Sequence, residues 1–249
     1  MPPAVVSLRG VRVLCDGHPA LDGFDLEVAA GERVALVGPS GAGKTTALRL
    51  CTGGVMPTSG LVSVLGQDLQ EATSAELRRL RQRVGTVYQQ LHLVGPLRVV
   101  HNVNGGRLGS WSRTRALASM IRPVDLGVAR AALGRVGIAD KLFERTDRLS
   151  GGEQQRVALA RVLVQEPELI LADEPVSSLD PARAEEVMDL LGEVVADGSR
   201  TLLVSLHDFT LARRRCDRVV GVRQGRVAFD LPAADVTDDL GTALYRIDA

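Results

Sequence analysis

The sequence predicts an α/β protein: a mostly parallel sheet with helices on both faces, preceded by an antiparallel β subdomain and interrupted by an inserted helical subdomain. Three observations predict it. The apolar run in "ERVALVG" leads through a glycine-rich turn into a helix pattern that starts near Lys44. A second all-apolar run, in "ELILADEP", ends on two acidic residues and is followed by a well-marked helix. The N-terminal third alternates apolar and polar residues with the period of two that half-buried strands require.

Taken in order, "VSLRGVRVL" and "FDLEV" alternate cleanly and stop at turn residues, Asp16-Gly17 and Ala30-Gly31, which suits an antiparallel lead-in. The helix after "ELILADEP" has Asp180 as its N-cap and Pro181 at its first position. Val187, Leu190, Leu191, Val194 and Val195 form its apolar stripe, and Gly198 ends it. "TLLVSL" is a third buried strand, and "RVVGVRQGRVAFD" is a hairpin turning at Gln224-Gly225. Between Gln89 and Gln165 strand signals give way to helical ones such as "GVARAALGRVGI", so a helical subdomain is expected over residues 90–165. Internal repeats and interdomain linkers are absent from the pattern, which predicts a single domain over 1–249.

Composition narrows the function. The chain has 249 residues, 45% of them hydrophobic, enough for a large core. Thirty basic residues balance thirty acidic ones, so no basic face or tail argues for a nucleic-acid partner. Cys15, Cys51 and Cys216 are scattered without metal-ligand spacing and are expected to be reduced thiols of a cytosolic protein. "MPPAVVSLRG" lacks the succession of a signal peptide, and no apolar stretch reaches the ~18 residues of a spanning helix. Any attachment to a membrane is expected through a partner.

"GPSGAGKT" has the spacing G-x-x-x-x-G-K-[ST] and the strand-before, helix-after setting of a phosphate-binding loop. The loop covers Gly38, Pro39, Ser40, Gly41, Ala42, Gly43, Lys44, Thr45 and Thr46. Its exposed backbone N–H groups and the helix N-terminus cradle phosphate, Lys44 supplies a point charge at the β- and γ-phosphates, and the Thr45 hydroxyl faces Mg²⁺. Lysine occurs at only two positions, Lys44 and Lys141. Asp173 and Glu174 end an apolar strand at the edge where open α/β sheets bind ligands. Asp173 is then suited to the Mg²⁺ shell and Glu174 to general-base activation of the attacking water. These two motifs together predict nucleotide hydrolysis.

"RLSGGEQQRVALARVL" sets two adjacent glycines, Gly151 and Gly152, in the first turn of an apolar-periodic helix. Each glycine costs a helix about 1 kcal/mol relative to alanine. Ser150 and Glu153 have capping-box spacing, which explains those two residues and leaves the glycines unexplained. Glycines there leave the helix N-terminus bare, so phosphate oxygens can approach its amides.

A second phosphate cradle far along one chain implies a second subunit. The set resembles the ATP-binding cassette (ABC) family, whose "LSGGQ" signature loop stands here as "LSGGE", Leu149 to Glu153. The resemblance covers nearly the whole chain. It implies the ABC ATPase fold with its P-loop NTPase core, ATP and Mg²⁺ as cofactors, and a homodimer in which each ATP lies between one subunit's P-loop and the other's signature loop. Gln89 in "VYQQ" matches the family's Q-loop glutamine, which contacts Mg²⁺ and the attacking water and senses the membrane partner. Asp180 in "SSLD" matches the D-loop, and His207 after "TLLVSL" matches the switch histidine at the γ-phosphate.

The spacing between P-loop and signature leaves no room for long coiled-coil arms, and no second cassette or transmembrane segment is fused. The chain stops soon after the hairpin, so the regulatory domain of some importers is expected to be absent. "YQQLHLVGPLRVVHNVNGGRLGSWS" most resembles the ATPase subunits of phosphonate importers, through Asn102-Val103, Gly106 to Gly109 and Trp111-Ser112. Asn104 and Gly105 are more polar and less helix-favouring than typical members, and Trp111 suits either a buried anchor or a partner contact. The resemblance implies permease subunits, indirectly a periplasmic or lipid-anchored solute-binding protein, and a peripheral place on the cytoplasmic face of the bacterial inner membrane. An importer ATPase for another small solute, such as an amino acid, and a non-transporting cassette of a phosphonate-degrading complex are the alternatives. One departure stands out: where the family places an aromatic to stack on adenine, this chain has Cys15, with His18 the nearest substitute.

Overall fold

The computed structural model describes residues 4–177, 179–196 and 198–246, and all their side chains except those of Met120 and Ile121. Two of the sequence expectations touch the remainder: the first three residues of "MPPAVVSLRG" and Ser178 of "SSLD" lie outside the described residues.

The chain opens with strands β1 (Ala4–Cys15) and β2 (His18–Ala29), paired antiparallel about a tight turn at Asp16-Gly17, where both residues take positive φ. Strand β3 (Arg33–Val37) then leads into helix α1 (Lys44–Cys51). The next stretch, which alternation alone leaves unassigned, supplies β4 (Ser59–Val64), β5 (Gln67–Asp68), α2 (Ser74–Arg83) and β6 (Val84–Val87). Helix α2 starts at a capping box between Thr73 and Glu76.

Beyond β6 come α3 (Val99–Asn104), α4 (Arg113–Ile121), α5 (Leu126–Arg135) and α6 (Gly151–Leu163), joined by short 3-10 turns, and no named strand falls among their described residues. The chain returns to the sheet with β7 (Leu169–Asp173), α7 (Pro181–Val195), β8 (Thr201–Leu206) and α8 (Phe209–Arg215). The hairpin β9 (Arg218–Arg223) and β10 (Arg226–Pro232) turns at Gln224-Gly225, again with positive φ at both positions. Helix α9 (Asp238–Tyr245) follows, an element that the sequence reading did not foresee.

Two sheets result. The four-stranded sheet runs β2-β1-β4-β5 and is antiparallel; the six-stranded sheet runs β10-β9-β3-β8-β7-β6 and is parallel except for the β10 edge. Because successive strand residues point to opposite faces, the central sheet feeds two cores. Ala35, Val37, Ile170 and Ala172 join α6 and α7 in one cluster, whereas Val34, Leu36, Leu169 and Leu171 join α1 and the antiparallel sheet in the other. Helices α1 and α6, the two glycine-led helices, therefore pack on opposite faces of one sheet.

Helix α7 begins as its sequence requires. The Asp180 carboxylate accepts from the Arg183 amide at 3.1 Å, Pro181 occupies the first turn, and Val187, Leu191, Val194 and Val195 are buried with Leu190 at the margin. Trp111 is a buried anchor, 8% exposed, with the Arg115 guanidinium 5.1 Å from its ring centroid. Asn104 is buried as well and donates to the Val124 carbonyl, so its polarity serves the subdomain interior. Cys51 and Cys216 are buried, with thiols pushed up to about 12 by burial, while Cys15 is exposed.

Candidate nucleotide-binding site

The phosphate loop departs from the end of β3, and its glycines have separable reasons. At Gly38 a side chain would run into the Val222 carbonyl. Gly43 (φ 109) is the α1 N-cap, and a Cβ there would meet Ala20 O at 2.6 Å and Leu21 Cδ2 at 2.8 Å. Gly41 (φ 78) faces open space, so its glycine serves conformation and free approach to the backbone. The hairpin turn braces the loop from the side: the Gly225 amide donates to Ala42 O, and Gly225 O accepts from the Asp22 amide, both at 2.9 Å.

Helix α1 carries no side-chain cap and no acidic residue in its first turn. Its first amides are thus left for an external acceptor, and the partial positive charge of the helix end selects an anion. Lys44 is 4% exposed, and its Nζ donates to the carbonyls of Gly38 at 2.7 Å and Pro39 at 3.1 Å. Burial pushes the Lys44 ammonium below the ordinary lysine value, and Glu174 and then Asp173 pull it back up. A buried cation held among carbonyls at an uncapped helix N-terminus fits a polyphosphate.

Strands β3, β7 and β8 lie side by side and parallel, so their C-terminal ends bring three distant segments together. The Thr45 hydroxyl donates to Asp173 Oδ1 at 2.9 Å, and the Ser205 hydroxyl donates to the same oxygen at 2.8 Å. Ser205, wholly buried, also accepts from the Glu174 amide at 2.9 Å. Glu174 itself sits in the left-handed region, φ 48, which is uncommon for a non-glycine residue and turns its carboxylate out of the strand line. His207 Nε2 lies 2.5 Å from Glu174 Oε1. The adjacent Thr45 and Asp173 oxygens fit a hard cation that keeps most of its shell as water and phosphate oxygens. Among the described residues no cluster of three or more His, Cys, Asp or Glu side chains forms a self-sufficient metal cage.

The signature residues stand apart from this group. Ser150 and Glu153 form the expected capping box: the Glu153 amide donates to Ser150 Oγ at 3.3 Å, and the Ser150 amide donates to Glu153 Oε2 at 2.8 Å. The Ser150 amide and hydroxyl hold the Glu153 carboxyl below the usual range. A Cβ on Gly151 would meet nothing within 4 Å, and one on Gly152 only the Arg183 guanidinium at 4.0 Å. Nothing within the chain therefore demands glycine at either position. Gln89 follows β6 in an exposed loop, and the hydrogen bonds of Asp173 come from Thr45 and Ser205 instead.

Two residues that hold the site together have no counterpart in the sequence expectations. Ser205 is one; it lies inside a buried strand, where a lone serine gives no signal. The other is Gln155, 5% exposed, whose Nε2 donates to the Pro175 carbonyl at 2.7 Å and so ties α6 to the segment after Glu174. A polar residue on the apolar face of a helix was the available clue.

A strand, glycine loop and uncapped helix, set beside a strand that ends on paired carboxylates, define a P-loop nucleotide-binding protein. Residues 21–177 match the ABC transporter family. The chain belongs to that family and is an ATP-binding cassette.

Among its relatives, the phosphonates import ATP-binding protein PhnC of Anaeromyxobacter dehalogenans is 51% identical over 241 residues. That alignment covers 96% of this chain and 48% of the relative, so the chain spans about half the length of that protein. A PhnC of Pseudomonas aeruginosa is 48% identical over 96% of this chain and 90% of its own. Among solved structures, the dimeric post-hydrolysis state of the cassette MJ0796 bound to ADP and Pi has a TM-score of 0.76 and 29% identity, over 92% of this chain and 98% of that one. CbiO1 of Clostridium perfringens, part of the cbiONQ transporter complex, has a TM-score of 0.80 and 27% identity over 93% and 90%.

Proposed function

We propose that this chain, a single cassette domain, is the ATP-hydrolysing subunit of a bacterial importer for a phosphonate or related phosphorus oxyanion. Two copies sandwich two ATP molecules between the P-loop of one and the signature loop of the other. The observation that carries the reading is the pair of glycine-led helix N-termini, on helices that pack on opposite faces of one sheet. Gly151 and Gly152 have no intrachain contact that requires them, which leaves them free for a group from outside the chain. The cargo rests on the PhnC relatives, and the sandwich on the dimeric, ADP-bound MJ0796.

In this reading the loop amides of Gly38 to Thr46 and the Lys44 ammonium take the β- and γ-phosphates. Thr45, Asp173 and Gln89 would hold Mg²⁺, which would supply neutralisation of the charge that develops on the transferred phosphoryl group. Glu174 accepts the proton of the attacking water, and His207, already in contact with that carboxylate, orients it against the γ-phosphate. Ser150, Gly151, Gly152 and Glu153 of the opposite copy close over the γ-phosphate, with Asp180 at the seam. Exposed Tyr88, Val94, Leu97 and Leu108 around the Q-loop form the face offered to a permease. Among the described residues no helix is long and apolar enough to cross a membrane; the chain is placed peripherally, on the cytoplasmic face, through that permease, with a solute-binding protein selecting the cargo outside.

Reconstitution with the permease and binding protein of the same gene cluster tests this. ATP turnover should rise with a phosphonate-loaded binding protein and stay basal with amino-acid loading. Equal stimulation by an amino acid would overturn the cargo, and turnover without any membrane partner response would overturn the importer role.

A further inference from the structure

The C-terminal helix α9 reaches the nucleotide site through its last residue. Tyr245 Oη donates to the backbone carbonyl of His207 at 2.9 Å. Burial pushes the Tyr245 phenol up; the nearby Gly38 backbone amide pulls the other way, while Asp208 and Glu174 are close enough to add to the rise. One hydroxyl thus lies between the first residue of the phosphate loop and the switch histidine. The sheet explains the coincidence. Val37 and Leu206 are the last paired residues of the parallel strands β3 and β8, so Gly38 and His207 are the first residues beyond the ladder on each strand. Their backbones leave the sheet side by side, without strand partners to fix them.

The helix that carries Tyr245 is secured independently of the site. Leu244 is 3% exposed in the core cluster under α6 and α7. Gly241 lets α9 close on the Phe209 ring, where a Cβ would approach ring carbons at 3.0 Å. The Arg223 guanidinium donates to the carbonyls of Ala243 at 3.1 Å and Arg246 at 2.8 Å, and Arg213 pairs with Asp238 at 2.5 Å. The helix is therefore a fixed post, and the hydroxyl at its end is held in place at little further cost in side-chain entropy.

We propose that Tyr245 is a positioning residue for ATP hydrolysis: its hydroxyl fixes the His207 backbone against the start of the phosphate loop, so that the imidazole meets the Glu174 carboxylate. This rests on the assignment of Glu174 and His207 to hydrolysis given above. It adds a residue outside every recognised motif, some forty positions beyond the switch histidine in the sequence. The hydroxyl acts through the backbone of its neighbour and touches no reacting atom, so its loss should affect turnover and leave nucleotide affinity alone.

A double-mutant cycle in the full chain tests the proposal, with steady-state ATPase kinetics, nucleotide titration and thermal melting read on each variant. Tyr245→Phe keeps the ring and should lower kcat by roughly five- to tenfold, the scale of one well-placed hydrogen bond, with KM, nucleotide Kd and Tm unchanged. On a His207→Ala background the same substitution should have no further effect. Leu244→Ala, which loosens α9 but keeps the hydroxyl, should lower Tm and largely retain kcat per folded molecule. Wild-type kcat in Tyr245→Phe overturns the proposal, as does an equal loss on both backgrounds or a loss confined to Tm and Kd. Full turnover in both His207→Ala and Glu174→Gln would overturn the underlying assignment instead, and the proposal with it.

Discussion

His207 Nε2 stands 2.5 Å from Glu174 Oε1, although thirty-three positions separate the two in the chain. Glu174 is brought there by the end of β7 and by its own left-handed backbone, His207 by the end of β8. If that carboxylate is the general base, Glu174→Gln should cut ATP turnover by roughly 10²–10⁴-fold while leaving ATP binding intact. It should also accumulate a dimer with Mg-ATP, visible by size-exclusion chromatography. Turnover near wild type would remove Glu174 from the mechanism.

The signature glycines separate stability from function. A Cβ at Gly152 would meet only the Arg183 guanidinium, at 4.0 Å, and the position lies in the first helical turn, where negative charge is favoured by about 0.3–1 kcal/mol. Gly152→Asp should therefore melt no lower than wild type and bind nucleotide in its P-loop. It should fail to dimerise with ATP and lose turnover, because in the proposed sandwich the new charge would face the other copy's γ-phosphate. A variant that hydrolyses normally would leave the glycine pair without its explanation, as would one that unfolds.

Lys44 carries a signed pH dependence. Burial lowers its pKa from the ordinary 10.5, so over the interval between the folded and unfolded values the unfolded chain binds more protons than the folded one. Stability then rises with pH through that interval. Nucleotide-free wild type should gain stability relative to Lys44→Met as pH climbs from neutrality toward 10.5, measured by denaturant unfolding. A difference that is flat or opposite in sign would contradict the buried, charge-penalised lysine.

Cys15 and His18 form the last ladder pair of the β1–β2 hairpin, and both are exposed. Base–aromatic stacking contributes roughly 1–3 kcal/mol, so Cys15→Tyr should tighten ATP binding by about one to two powers of ten and sharpen discrimination against GTP. Fluorescence titration of wild type, Cys15→Tyr and His18→Ala decides between platforms. Loss in His18→Ala with no gain in Cys15→Tyr would make the histidine the adenine contact.

The legible part of the site lay in contiguous stretches. The loop from Gly38 to Thr46, the apolar strand ending at Asp173 and Glu174, and the capping box of Ser150 and Glu153 are local devices, set by backbone conformation and by neighbours within a few residues. The same holds for the hairpin at Gln224-Gly225 and the α7 cap at Asp180. Gln89 was legible only as a motif position; the fold leaves it exposed, two residues beyond the end of β6, the strand that pairs with β7.

By itself, then, the sequence determined the strand–loop–helix units, their order, the two glycine-led helix starts and the paired carboxylates, because periodicity, turn residues and caps act over a few residues. Only the tertiary structure decided the rest. Parallel pairing of β3, β8 and β7 placed Ser205 between Asp173 and Glu174, and the alternation of faces put α1 and α6 on opposite sides of the sheet. Docking of α9 on Phe209 carried Tyr245 to His207. These are contacts between residues far apart in the chain, formed by burying apolar faces, and no local pattern at Ser205 or Tyr245 records which distant backbone each will meet.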